Sequence, residues 1–163
     1  MIAGGLAAFG AYFAMYAFRK PFSAGTYEDM GLLPFGVDYK TGLLIAQVIG
    51  YALSKLIGIR VIAEFGRRGR ALAILCLIGA SWLALVLFAI LPTGWGPFCL
   101  LLNGLPLGMI WGLVFSYVEG RRCSEMLGAT LCASFILSSG VVKSVAIWIM
   151  QQGVRESWMP AAT

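Results

Sequence analysis

Five apolar stretches, at about 2–26, 41–63, 71–91, 97–118 and 127–150, leave this chain few ways to fold. Each is near the roughly 20 residues an α-helix needs to cross a hydrocarbon core about 30 Å thick. No water is available there for a bare N–H or C=O, so a run of this length pairs its backbone within itself as a helix. With 60% of residues hydrophobic, 12% charged and a mean hydropathy of +0.88, the chain has the composition of a multi-span membrane protein. The fold expected is all-α: a polytopic transmembrane bundle of five full spans plus the start of a sixth after Gln151, one domain or part of one over 1–163.

The charges orient the bundle. Loops 60–70 and 119–126 hold six Lys and Arg, the turn at 92–97 holds none, and the 27–40 segment holds only Lys40. Short basic loops stay on the cytoplasmic side, which predicts a cytoplasmic N-terminus. The net charge of +5 therefore reads as a topology signal beside a lipid bilayer and not as a nucleic-acid footprint.

The chain contains no histidine, and its four cysteines (Cys76, Cys99, Cys123, Cys132) lack metal-ligand or redox spacing. No nucleophile–base set is visible. The reading is that the protein is not an enzyme and carries neither metal nor cofactor.

The chemistry lies in cations set inside apolar runs. Tyr12, Tyr16, Arg19 and Ser23 fall at i, i+4, i+7 and i+11, on one face of span one, with Lys20 beside them. The run from Ile2 to Phe18 is slightly short of the hydrocarbon thickness, so the helix is expected to continue and carry Arg19 into or near the bilayer. Gln47, Tyr51, Ser54 and Gly58 repeat that spacing in span two, with Lys55 next to the face. Lys143 lies one turn beyond Ser139 in span five. In span four Asn103 precedes Gly104, Gly108, Gly112 and Ser116, a ridge of small residues that lets a neighbouring helix approach closely. Two readings of the cations stay open on these residues alone. They snorkel to lipid headgroups, or they line a watered cavity for an anion.

Five spans, a basic loop between the second and third, and the start of a sixth resemble the first half of a major facilitator superfamily transporter. Tyr12-Phe-Ala-Met-Tyr16-Ala-Phe-Arg19-Lys20-Pro-Phe resembles the first helix of the organophosphate:phosphate antiporter branch, which carries a Tyr-Tyr-x-x-Arg-Lys pattern. Gly50-Tyr51-Ala-Leu-Ser54-Lys55-Leu is similar to the branch's Tyr-Gly-x-Ser-Lys-Phe stretch. Asn103-Gly-x-x-x-Gly108-Met-x-Trp111 resembles its Asn-Gly-x-x-Gln-Gly-x-Gly-Trp-Pro stretch, with Leu107 and Leu113 replacing the glutamine and the final proline. A nearby group of uncharacterised bacterial membrane proteins is similar as well. The superfamily's cytoplasmic gating motif is matched only loosely: Ala63 and Glu64 stand where Asp-Arg is usual, followed by Gly66, Arg67 and Arg68.

The resemblance implies an integral protein of the plasma (bacterial inner) membrane, with Arg19 and Lys55 in an anion cavity. The function expected is secondary transport of a small anionic solute, phosphorylated solutes included, by alternating access. Arg19, Lys20, Lys55 and Lys143 supply the positive field, and Tyr12, Tyr16, Gln47 and Asn103 are the polar lining. A transporter half needs a second half across the pathway, so the chain is read as a fragment whose C-terminal half is its partner. The alternatives are a transporter-like receptor that binds the anion without moving it, and a non-transporting membrane scaffold.

Overall fold

The apolar stretches fold as helices. The computed structural model describes residues 2–33, 36–64, 69–118 and 124–163. The helices are α1 (Ile2–Arg19), α2 (Tyr39–Glu64), α3 (Gly69–Ile90), α4 (Gly96–Val118), α5 (Ser124–Gln151) and the short α6 (Met159–Ala162). Four contain windows long and apolar enough to cross a membrane: Tyr39–Gly58, Gly69–Ile90, Thr93–Val114 and Gly128–Gln151. Their outward faces carry Leu56, Leu72, Leu75, Ile136 and Trp148, each at least 60% exposed, as lipid-facing side chains are. The protein is an all-α integral membrane protein.

The first helix ends at Arg19 and not near Thr26. The reason is Pro21, which has no N–H to give the carbonyl of Ala17 and so cannot continue the helical ladder. The last helical bond is Lys20 N–H to Tyr16 O at 3.0 Å, and Pro21–Ala24 follows as a 3-10 turn.

Between that turn and α2 the chain is more structured than a plain loop. Glu28–Met30 forms another 3-10 turn, and β1 (Leu32–Leu33) pairs antiparallel with β2 (Val37–Asp38), Leu32 opposite Asp38. Asp38 then caps α2, its Oδ2 accepting the Thr41 N–H at 3.3 Å. Tyr27 adopts a left-handed backbone (φ 55°), an unfavourable conformation for a bulky residue. It is held there from two sides. Its N–H donates to Glu156 Oε2 at 2.8 Å, and its ring packs edge-on against Tyr39 and Phe88.

Helix α4 is central, packing against α2 and α3 most extensively and against α1, while α5 lies along α1. The α2–α4 contact is close because glycine allows it. A Cβ on Gly50 would strike the Leu101 carbonyl oxygen, one on Gly104 the Gln47 carbonyl oxygen, and one on Gly108 the Ser54 hydroxyl. The small-residue ridge of the fourth span therefore seats α2. Along α5, the Ser134 hydroxyl donates to the Phe9 carbonyl at 3.0 Å. Tyr12, Met15, Tyr16, Leu107, Ile110, Val114 and Leu131 form the core at this end of the bundle.

Candidate functional site

Ending a helix in an apolar bundle leaves carbonyls without amides, and buried carbonyls need partners. Here two side-chain amides from neighbouring helices supply them. Gln47 Nε2 on α2 donates to the Arg19 carbonyl at 3.2 Å and to Asn103 Oδ1 at 2.9 Å. Asn103 Nδ2 on α4 lies 3.4 Å from the Phe18 carbonyl and 2.8 Å from Ser81 Oγ on α3. Gln47, Ser81 and Asn103 are all buried. One polar knot thus ties four helices together at the point where α1 stops, and it fixes the backbone of Arg19.

From that anchored position the Arg19 side chain reaches α2. Its Cζ lies 4.5 Å from the centre of the Tyr51 ring and 5.7 Å from that of Tyr16, whose hydroxyl is 3.5 Å from Nη1. Lys55, one turn beyond Tyr51, places its Nζ 4.9 Å from the same Tyr51 ring and 5.3 Å from Trp111 on α4. Two cations share one aromatic ring. Among the described residues neither has a carboxylate partner. Contacts of this kind contribute about 0.5–2 kcal/mol each, and each cation makes two of them. The rings neutralise neither charge and the like charges repel, so an anion between them would be stabilised.

Lys20 and Lys143 form a second group. Lys20 is half-buried and lies within electrostatic reach of Arg19 and of Lys143, which is exposed on α5. The four cations singled out by sequence thus gather around the end of α1. Tyr12 and Tyr16 are buried, with ring centres 5.4 Å apart. Gln47 and Asn103 are placed behind Arg19, with their amide hydrogens engaged in the knot. Of the gating-loop residues, Glu64 ends α2, and Gly66, Arg67 and Arg68 lie outside the described residues.

Tyr51, Ser81 and Trp111 were not among the expected site residues. Tyr51 had a signal: Gln47, Tyr51 and Lys55 repeat at i, i+4 and i+8, so one face carries the amide, the ring and the cation. Ser81 had none, standing alone in an apolar helix.

The fold and site define a helical membrane protein with a cationic–aromatic centre at the end of its first helix, without a carboxylate partner among the described residues. The chain belongs to the family of unknown function DUF5690, whose model matches residues 21–163. That match begins two residues after Arg19 and includes Gln47, Tyr51, Lys55, Asn103 and Lys143. No curated protein and no solved structure matches the chain.

Proposed function

We propose that this protein is a secondary transporter that moves a small anionic solute by alternating access. The observation that carries the reading is the convergence of Arg19 and Lys55 on the Tyr51 ring without a carboxylate partner among the described residues. Arginine offers a planar fork of donors suited to a carboxylate or phosphate, and lysine adds a mobile point charge. Lys20 and Lys143 extend the positive field at the same end of α1. Gln47 and Asn103 act as positioning residues, holding the Arg19 backbone against α2 and α4.

In this reading α1 and the Pro21–Ala24 turn together make a fifth span, and the N-terminus faces the cytoplasm of a bacterial inner membrane. The resemblance to the first half of a major facilitator superfamily transporter supports it, as does the basic character of loops 60–70 and 119–126. Such a bundle works against a second helical half, with the solute held between the two.

The test is uptake of labelled inorganic phosphate, ribose 5-phosphate and phenyl phosphate into proteoliposomes holding the full-length protein. Saturable uptake of any one of them, lost in Arg19→Gln, is the expected result. Binding without uptake would replace transport with a receptor role, and the absence of both binding and uptake would contradict the anion site.

A further inference from the structure

Beside the two cations lies a cavity of about 230 Å³ lined by Tyr12, Trp111, Gly128, Leu131, Cys132 and Phe135, between α1, α4 and α5. Two of its wall residues also border the cationic centre. Trp111 lines it and also stands 5.3 Å from Lys55 Nζ. Tyr12 lines it and packs on Tyr16, the residue within reach of Arg19. Phe135 closes the circuit, its ring edge-on to Tyr16 at 5.0 Å.

None of these six side chains carries a charge, and their polar atoms are one phenol, one indole N–H and one thiol. A polyhydroxylated body placed here would give up water without regaining its hydrogen bonds. An apolar ring would meet three aromatic rings and a leucine. The volume is sufficient: an enclosed apolar cavity of about 150 Å³ holds benzene, and this pocket, open on the side of the exposed Cys132 and Phe135, has room for a ring bearing a substituent. Resting on the anion-site reading above, we propose that the solute is an organic anion with a compact apolar body, such as an aromatic phosphate ester or carboxylate. Its charged end sits between Arg19 and Lys55 and its body fills this cavity.

The full-length protein in phosphatidylcholine nanodiscs, with Cys132 as its only cysteine, provides the test. Three probes are compared: inorganic phosphate, ribose 5-phosphate and phenyl phosphate. Phenyl phosphate should bind at least about tenfold more tightly than ribose 5-phosphate and slow maleimide alkylation of Cys132, and inorganic phosphate should leave that alkylation unchanged. A Cβ on Gly128 meets nothing within 4 Å, so Gly128→Leu is accommodated and occupies the cavity. It should remove the preference for phenyl phosphate while inorganic phosphate binds as before; Cys132→Phe provides the same test without touching a glycine.

Equal affinity for phenyl and ribose phosphates, unchanged by either filling variant, overturns this inference and leaves the anion site standing. Loss of all binding in Arg19→Gln, with the phenyl phosphate preference lost only in the two filling variants, supports both. If none of the probes binds, both fall. An anionic group on an apolar body also describes a bilayer lipid. Slow alkylation of Cys132 without any probe, seen when phosphatidylglycerol replaces phosphatidylcholine, would give the cavity to lipid and overturn the solute proposal.

Discussion

The guanidinium carbon of Arg19 lies 4.5 Å from the centre of the Tyr51 ring, joining the end of α1 to the middle of α2. The contact holds a cation over an aromatic face, while Nη1 on the guanidinium edge donates to the Tyr16 hydroxyl at 3.5 Å. Tyr51→Leu should remove this support while keeping the apolar volume. Anion affinity is expected to fall about three- to tenfold, the equivalent of roughly 0.7–1.4 kcal/mol, with folded yield unchanged. Titration of the purified variant measures it, and wild-type affinity would show that the ring does not hold the cation in a binding position.

The knot behind Arg19 makes a different demand. Asn103→Ala removes the amide that bridges Gln47, Ser81 and the end of α1, leaving buried groups without partners. Such losses cost about 1–3 kcal/mol, so thermal unfolding in detergent should shift well below wild type. Gln47→Ala should do likewise. The double variant should lose less than the sum of the two, because both amides belong to one network. Strict additivity would mean that they act separately.

Glycine sets the spacing between α2 and α4. Gly108→Leu places a side chain where the Ser54 hydroxyl and the Tyr51 carbonyl already stand. Overpacking of this kind costs about 1–3 kcal/mol, and more where backbone must move. Gly79→Leu on α3 is the matched control, since a Cβ there meets nothing within 4 Å. A lower melting temperature is expected for Gly108→Leu alone. Equal stability of the two would show that the ridge does not seat α2.

At the opposite end of α2, the Tyr27 hydroxyl is buried without a hydrogen-bond partner among the described residues. Burial, and next the nearby Glu156 carboxylate, push its pKa above the ordinary tyrosine value of 10.0. Above that value the unfolded chain releases a proton that the folded protein keeps, so stability falls as pH rises past about 10. Tyr27→Phe removes both liabilities. It should raise stability by about 1 kcal/mol at neutral pH and flatten the alkaline decline. Melting curves from pH 8 to 11 check this, and a less stable variant would show that the hydroxyl is in fact satisfied.

Much of this architecture could be read in the sequence, because hydrocarbon imposes one rule on every residue of a span. The helices α2, α3, α4 and α5 lie where the apolar runs at 41–63, 71–91, 97–118 and 127–150 placed them, with ends shifted by at most three residues. The end of α1 was harder to read. Apolar length argued for continuation toward Thr26, and Pro21 stopped the helix at Arg19. The cations were found because charge is conspicuous in an apolar run. Which rings they touch depends on how α1, α2 and α4 cross, and a single helix's periodicity holds no information on that. The same limit explains Gln47 and Asn103. Sequence marked them as polar residues in spans, and only the meeting of three helices shows that their amides face the broken end of α1.

The central claim is that Arg19 receives an anion, and affinity across substitutions at Arg19 and its neighbour Lys20 tests it most directly. The measurement uses full-length protein in nanodiscs and whichever of phosphate, ribose 5-phosphate or phenyl phosphate the wild type binds most tightly. Arg19→Gln should lose at least about tenfold in affinity, and Arg19→Lys should lose less yet remain clearly weakened, since charge is kept and the fork is not. Lys20→Gln should change affinity by less than about threefold, because the Tyr51 ring is met by Arg19 and Lys55 and Lys20 lies beyond the end of α1. Equal tolerance at the two positions would contradict the claim and leave Arg19 as a cation that snorkels to the headgroups.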